Sequence, residues 1–364
     1  MHTELLYQIA LTMIPDIGPI TRKKLIGHFG AASAVFKATR NEIAAVENMG
    51  ERIAHQIKNW NNFSLAEKEI KFIEQHQIQV LFFTHPNFPH RLLNCPDHPT
   101  LLYFKGNANL NAEKVISIIG TRSNSIYGKQ VTEQIIHSIP RDVLVISGLA
   151  FGIDAIAHRA ALNNNLSTVG VLAHGLDDLY PSQHRNMAKE MLNNGGMLTE
   201  FTQHTLANKY NFPRRNRIVA GMADATIVIE TAVKGGSMIT ADLAFHYNRE
   251  LFAVPGRIND ERSKGCLQLI QQNKAIVYTN ATAFMETMGW ENKQTSPLQQ
   301  LSFFATLTEE EQLIVQVLKE KDLFTVDELY KRVGLNSSRM AAALLSLEIQ
   351  HIIHIIPGKM VALS

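Results

Sequence analysis

The chain has few cysteines and no long apolar run, and these absences exclude several classes of protein. Its 364 residues include only two cysteines, Cys95 and Cys266, and no Cys-x-x-Cys pair. Such a composition argues against a disulfide framework or a structural zinc site and favours a reducing cytoplasm. No segment reaches the roughly 18 apolar residues of a membrane helix, and the N-terminal stretch carries Glu4, Asp16 and a break at Pro15. We therefore expect a cytoplasmic protein without a signal peptide, a membrane span, a metal or another cofactor.

A large excess of one charge is also lacking. The formal net charge is +2, from 35 Lys and Arg against 33 Asp and Glu, so any site for an anion must be local. Residues 114–280 contain 17 Lys or Arg and 13 Asp or Glu, whereas residues 301–364 contain six and eight. The middle of the chain is therefore the better candidate for binding an anion.

The pattern along the chain predicts three domains and two connecting segments. Residues 1–63 show short helices and two glycine-centred turns, which resemble a helix-hairpin-helix or SAM-like domain. Residues 64–113 resemble a connector with one helix, one short strand and four prolines, which disfavour long regular structure. Residues 114–290 are expected to form the main domain, 291–306 a polar linker, and 307–364 a winged-helix domain.

Apolar strands alternate with helical stretches in the main domain. This alternation predicts an α/β fold: a doubly wound, mostly parallel, Rossmann-like sheet with helices on both faces. Ligands of such sheets bind outside the carboxyl ends of the strands. The predicted strands lie near residues 115–119, 143–147, 168–172, 197–199, 225–229, 250–254 and 276–278.

The last domain is predicted to contain three helices followed by a wing that turns at Pro357-Gly358-Lys359. Its acidic balance leaves only Arg339 on the third helix to meet phosphates. We interpret it as a protein-interaction or structural module rather than as a DNA-binding one.

Basic, glycine and aromatic residues follow the predicted strands of the main domain. Arg122 comes directly after the first strand, and Lys234 precedes Gly235 and Gly236 after the strand ATIVIE. The segment NKYNFPRRNRIVAG adds basic and aromatic side chains between them. Backbone amides, guanidinium groups and aromatic rings at one edge of a sheet can hold phosphates and stack unpaired bases. The sequence therefore predicts a site for a flexible polynucleotide.

Six short motifs carry a family resemblance. Together, in this order and spacing, they resemble DNA-processing protein A, a family also called Smf. The motifs are GTRSNSIYG at 120–128, SGLAFGIDAIAH at 147–158, GLDDLYP at 175–181, FPRRNRIVAG at 212–221, GGSMITA at 235–241 and FAVPG at 252–256.

The resemblance implies a cytosolic, non-enzymatic mediator of recombination. Such a protein binds and protects single-stranded DNA, forms a homodimer and loads RecA recombinase during natural transformation. By position, Arg122 would hold a phosphate and Phe212 would contact a base, and we expect Arg122, Lys209 and Arg217 to share one surface. The predicted DNA-binding residues are Gly120, Thr121, Arg122, Ser147, Gly148, Lys209, Phe212, Arg214, Arg217, Lys234, Gly235 and Gly236.

Several of these residues also have a purely structural interpretation. In that interpretation the glycines form tight turns between strands and helices and have no role in binding. Asp154 and His158, four apart on a helix, could be an acid–base pair, but a structural role is favoured. Phe151 could belong to the core or stack on a base. Either Arg215 or Arg217 is expected to pair with Asp224 or Glu230.

The alternative from another class is an enzyme. GGSMIT after an apolar strand is similar to the PGGxGTxxE motif of nucleotide N-glycosidic hydrolases of the lysine-decarboxylase-like (LOG) type. Aligned on the two glycines, their proline becomes Lys234 and their glutamate falls at Asp242. This leaves no clear general base for cleavage. A Rossmann dehydrogenase is disfavoured because the chain has no GxGxxG.

Overall fold

The computed structural model describes residues 2–290, 307–321, 323–350, 352–356 and 360–363. The chain divides into two compact units after residue 291, and each is described by itself. The predicted linker, 291–306, and the predicted wing turn, 357–359, lie outside the described residues.

Six helices open the first unit. Pro19 occupies the first position of the second helix, where its missing N–H costs nothing. The apolar core of these helices continues onto the sheet through Phe82, Leu101 and Tyr103. The helical segment is therefore packed on the sheet. The helices are α1 (His2–Met13), α2 (Pro19–Phe29), α3 (Ala32–Lys37), α4 (Arg40–Ala45), α5 (Gly50–Asn59) and α6 (Phe63–Gln75).

A nine-stranded sheet forms the centre of the first unit. Its order is β1-β2-β6-β5-β4-β3-β7-β8-β9. The pairs β1/β2 and β2/β6 are antiparallel, and all other pairs are parallel. The strands are β1 (Gln79–Phe82), β2 (Leu101–Gly106), β3 (Lys114–Ile119), β4 (Val143–Ser147), β5 (Thr168–Val171), β6 (Gly195–Thr199), β7 (Ala225–Val228), β8 (Glu250–Ala253) and β9 (Ile276–Val277). The predicted doubly wound, mostly parallel, Rossmann-like sheet is confirmed.

Helices cover both faces of this sheet. Successive residues of a strand face opposite sides: Val115 packs in one apolar cluster with Ile218 of one helix layer, and Ile116 packs in the other with Ile135. Both faces are covered by helices, which explains why the central strands are mostly apolar and buried. The helices are α7 (His90–Leu93), α8 (Ile126–Ser138), α9 (Ile153–Asn163), α10 (Arg185–Asn193), α11 (Asn211–Met222), α12 (Gly236–His246), α13 (Lys264–Gln271) and α14 (Ala281–Met288), with a 3₁₀ turn at Ser182–His184.

Residues 64–113 hold more regular structure than their four prolines indicated. The expected helix and short strand are present as α6 and β1. Strand β2 was not predicted from the sequence; it pairs with β1 on one side and with β6 on the other. All four prolines precede β2, so none removes a hydrogen-bond donor from its ladder. The segment therefore extends the sheet, and the proposed domain boundaries at 63, 113 and 290 stay predictions.

The second unit is a small winged-helix fold. Its three strands pair antiparallel in the order β10-β12-β11. Thr308 with Glu311 and Thr325 with Glu328 form reciprocal caps at the starts of its first two helices. The elements are α15 (Glu309–Leu318), β10 (Phe324–Thr325), α16 (Val326–Val333), α17 (Ser337–Ile349), β11 (Ile353–Ile356) and β12 (Met360–Leu363).

In the part of the chain that the structure describes, no helix combines the length and the apolar character needed to cross a membrane.

Candidate functional site

A cavity of about 610 Å³ opens where the strand order reverses, between β3 and β7. We call it the strand-end cavity. It is bordered by the loops that follow β3 (Gly120 to Arg122), β4 (Gly148 to Ala150) and β7 (Thr231 to Ser237), and by the start of α11. This reversal is the usual place for a ligand in a doubly wound sheet.

The structure brings together most of the residues predicted from the sequence. Four of the predicted residues do not line the cavity: Ser147, Arg214, Arg217 and Lys234. Eight of the twelve predicted residues line the strand-end cavity: Gly120, Thr121, Arg122, Gly148, Lys209, Phe212, Gly235 and Gly236.

Arg122 is the main cation of the cavity. Its guanidinium carbon lies 5.0 Å from the centre of the Phe212 ring, and its side chain is exposed. No carboxylate among the described residues forms an ion pair with it. Because a guanidinium stacked on a ring keeps its N–H groups free at the edge, Arg122 can donate to a phosphate while it remains stacked.

The turn that carries Arg122 is fixed by its neighbours. The amide N–H of Thr121 donates to the carbonyl of Glu230 at 2.7 Å, and that of Ile153 donates to the carbonyl of Thr121 at 3.2 Å. Gly152 has φ +78°, and a Cβ there would lie 2.2 Å from the Thr121 carbonyl oxygen. Only glycine permits this close approach of the loops after β3 and β4.

Aromatic rings lie beside Arg122. Tyr180 and Phe151 are 49% and 42% exposed, and together with Arg122 and Phe212 they line a recess next to the cavity. The centres of the Tyr180 and Phe212 rings are 6.1 Å apart, and those of Phe151 and His184 are 5.0 Å apart. Phe151 is therefore available for stacking rather than buried in the core.

Arg215 lines the cavity but is not among the DNA-binding residues predicted from the sequence. Its buried guanidinium donates to the carbonyl of Gly148 and, at 2.6 Å, to that of Val171. Burial lowers the pKa of Arg215 to about 10, although the nearby Asp154 opposes this shift. Burial also raises the pKa of Asp154. Arg215 thus fixes the ends of β4 and β5 beneath the cavity.

Helical periodicity explains which arginines of α11 face the cavity. Phe212, Arg215, Asn216 and Val219 line it, and their spacing of three, four and seven residues is that of one helix face. This spacing was present in the sequence and could have identified Arg215.

Arg214 and Arg217 occupy the neighbouring face of α11. Arg217 is buried, lies 2.5 Å from a carboxylate oxygen of Glu200 and donates to the carbonyl of Asp97. Arg214 is half-exposed, lies 3.6 Å from Glu200 and stacks on the Phe201 ring at 4.8 Å. Arg122 and Lys209 therefore share the strand-end cavity, but Arg217 does not.

The expected pairing of an FPRRNR arginine with Asp224 or Glu230 is wrong. Asp224 pairs with Arg91 at 2.6 Å, and Glu230 accepts hydrogen bonds from Ser125. Both partners lie far from α11 in sequence, so local patterns gave no sign of them.

Two other predicted groups have structural contacts. Ser147 is buried, and its hydroxyl donates to the carbonyl of Ile118 at 2.5 Å, joining β4 to β3. His158 is buried with its Nδ1 2.7 Å from the Thr168 hydroxyl, and burial lowers its pKa to about 3. A neutral, buried imidazole agrees with the structural interpretation of Asp154 and His158.

The described residues contain no group of three or more His, Cys, Asp or Glu side chains placed to hold a metal ion.

Models of three known families and motifs match different parts of the chain. A family model described as DNA recombination-mediator protein A matches residues 79–289. A helix-hairpin-helix motif matches residues 9–68, and a DprA winged helix domain matches residues 304–359. The chain belongs to the DNA recombination-mediator protein A family. The resemblance given by the six motifs is thereby confirmed.

Relatives of this family member span most of its length. Protein Smf of Escherichia coli is 31% identical over 302 residues, which cover 82% of this chain and 80% of that protein. DNA processing protein DprA of Streptococcus pneumoniae is 36% identical over 199 residues, 55% of this chain and 71% of that one.

Two solved structures of the family share the fold. The X-ray structure of Streptococcus pneumoniae DprA has a TM-score of 0.68 at 28% identity and covers 77% of this chain and 97% of its own. A Helicobacter pylori structure that concerns the single-stranded DNA binding mode of its DNA processing protein A has a TM-score of 0.53 at 31% identity. It covers 58% of this chain and 95% of its own.

In this family member two carboxylates hold the loop that leads to Lys209. Both oxygens of the buried Glu69, on α6, lie 3.2 Å from the amide nitrogen of Gln203. The amide N–H of His204 donates to Asp177 at 2.8 Å. The N-terminal helices therefore help to place Lys209 at the cavity.

We expect Glu69→Gln to stabilise the protein at alkaline pH. Burial raises the pKa of Glu69 to about 7, although the hydrogen bond from the Gln203 amide opposes this shift. Glu69 also lies near the buried Tyr103. A carboxyl with a raised folded-state pKa contributes stability at low pH and loses it as pH rises through that pKa. The free energy of unfolding of the variant should exceed that of wild type by about 2 kcal/mol at pH ~8, and the two should be equal at pH ~5.

Urea unfolding at the two pH values measures this difference. Glu51→Gln is the matched control, since Glu51 is 64% exposed and ion-paired with Arg40. An equal difference at both pH values would show that the charge of Glu69 is not its source.

Proposed function

We propose that this chain binds single-stranded DNA in the strand-end cavity and acts as a recombination mediator. The observation that carries the proposal is the convergence of Arg122, Lys209 and Phe212 with glycine turns on one cavity at the reversal of strand order. The binding mode for single-stranded DNA of the Helicobacter pylori relative supports it.

Each group in the cavity has a role in this proposal. Arg122 donates to a phosphate, and Lys209 attracts the next one. Phe212 and the partly exposed Tyr180 offer ring faces to unpaired bases. Stacking and phosphate contacts do not depend on base identity, so we expect binding without sequence preference. Lys234, exposed beside Gly235 and Gly236, is a further phosphate contact in the proposal.

The finer parts of the function are proposed on the family resemblance. They are protection of incoming DNA, loading of RecA recombinase during natural transformation, and assembly as a homodimer. The acidic winged-helix unit is proposed as a protein-interaction or structural module. A cytoplasmic location is supported by two free, buried thiols, Cys95 and Cys266. RecA filament formation on single strands, with and without this protein, tests the loading step.

We propose that the chain acts without catalysis. Asp242, the counterpart of the hydrolase glutamate, lies 2.8 Å from the Lys274 amine and is not among the cavity's lining residues. Asp154 lines the cavity but accepts a hydrogen bond from the amide of Ala150 at 3.3 Å. Release of free base from nucleoside monophosphates would contradict this part of the proposal.

Salt dependence of binding tests the proposed function. Fluorescence anisotropy with labelled oligothymidine is measured over a range of salt concentrations. If about four cations contact phosphates, log affinity should fall with log salt at a slope near −3, at ~0.7 per contact. Duplex DNA of the same length should bind more weakly, because its bases are not free to stack. A flat salt response would overturn the proposal.

A further inference from the structure

A second groove adjoins the strand-end cavity, and Pro213 and Ile239 line both. Its volume is about 620 Å³. One wall is the start of α2, from Gly18 to Thr21, and the opposite wall carries Arg214 and Arg217. We call it the arginine groove.

Cations outnumber anions around the arginine groove. The single carboxylate of Glu200 serves both Arg217, at 2.5 Å, and Arg214, at 3.6 Å. Arg22 lies behind them: burial lowers its pKa to about 10, with opposition from Glu200 and further lowering by the other two arginines. Among the described residues that line the groove itself, Asp97 is the one acid. The groove therefore favours an anion.

Arg214 is the cation that a ligand can reach. Its side chain is 54% exposed, whereas that of Arg217 is 9% exposed and is held by Glu200 and the Asp97 carbonyl. The exposed apolar side chains of Ile20 and Ile239, 53% and 45% exposed, also line the groove. A single-stranded nucleic acid carries phosphates, which a cation can bind, and base faces, which can pack on apolar side chains.

We propose that the arginine groove binds the continuation of the single strand that occupies the strand-end cavity, with a phosphate on Arg214. The two sites share Pro213 and Ile239, so a strand leaving one cavity across these residues enters the other. This inference rests on the proposed function and extends it: the N-terminal helices contribute directly to DNA binding through the start of α2.

Strand length distinguishes the two sites. Anisotropy is measured with oligothymidines of about 6 and about 20 nucleotides, lengths within and beyond a compact single-strand site. The variants are Arg214→Ala, which removes the cation, and Ile20→Glu, which places an anion on the opposite wall. The matched control is Arg40→Ala, because Arg40 is 52% exposed, close to the 54% of Arg214, and likewise lies beside a glutamate, Glu51.

Both variants should weaken binding of the longer strand about 5- to 10-fold relative to the control and leave the shorter strand unaffected. The salt slope of Arg214→Ala for the longer strand should fall by about 0.7. Each variant is compared with the control at the same strand length, because a longer strand offers more overlapping binding positions and would otherwise bind more tightly for that reason alone. Both substituted side chains are exposed, so thermal melting should change little.

Each outcome bears on one proposal. If wild type does not bind the short strand, the proposed function itself fails. If wild type binds the short strand but the variants match the control on the long one, the arginine groove is not a DNA site. Equal weakening at both lengths would place Arg214 and Ile20 in the first site and overturn the inference.

Discussion

Replacing Arg215 by alanine is expected to lower the free energy of unfolding by about 3–5 kcal/mol. The substitution removes the buried donors to the Gly148 and Val171 carbonyls. It also removes the cation that favours the charged form of the buried Asp154. Two buried carbonyls without donors, beside a buried carboxyl that has lost a nearby cation, are costly defects in a protein interior.

Urea unfolding compares Arg215→Ala with Arg214→Ala. The two arginines are adjacent in sequence, but only Arg215 is buried, so the control should lose less than about 0.5 kcal/mol. A loss below about 1 kcal/mol for Arg215→Ala would show that water replaces its hydrogen bonds and that it does not fix the cavity.

Replacing Arg122 by alanine is expected to weaken single-strand binding roughly 10- to 100-fold, the cost of about 1.5–3 kcal/mol for a lost charged hydrogen bond. The loss should be equal across sequences, and the salt slope should fall by about 0.7. Folding should be unaffected, because the side chain is exposed and stacks only on Phe212. Anisotropy with several strands of different sequence measures the effect.

Two further variants sharpen this test. Arg122→Lys keeps the charge but loses the planar fork and the stacked geometry, so its affinity should lie between wild type and alanine. Arg52→Ala is the control, since Arg52 is 80% exposed and weakly paired with Asp16 at 3.6 Å. A loss restricted to particular sequences would indicate that Arg122 reads bases.

The parallel sheet could be predicted from the sequence because its strands are buried on both faces. A run such as Val115 to Ile119 is apolar except for the buried Ser117, because alternate residues enter two separate cores. All seven predicted strands are present, within two residues at each end. The residues at their carboxyl ends, Gly120 to Arg122 and Gly235 with Gly236, were located for the same reason.

Long-range partners could not be predicted. Arg215 and Arg217 are two residues apart, yet one enters the floor of the strand-end cavity and the other pairs with Glu200. Glu200 lies on another loop, and its proximity exists only in the folded chain. Likewise β2 follows four prolines and gains its strand conformation by pairing with β6, which lies about 90 residues later.

The shared core of the N-terminal helices and the sheet limits how this protein can be shortened. A fragment reduced to residues 79–289, the span of the recombination-mediator family model, would begin at the outermost strand. Its exposed apolar surface would then include Phe82, Leu101 and Tyr103, which are at most 5% exposed when the N-terminal helices are present. Such a fragment would be prone to aggregation during expression. The helices are thus a solubility requirement for the domain that follows them.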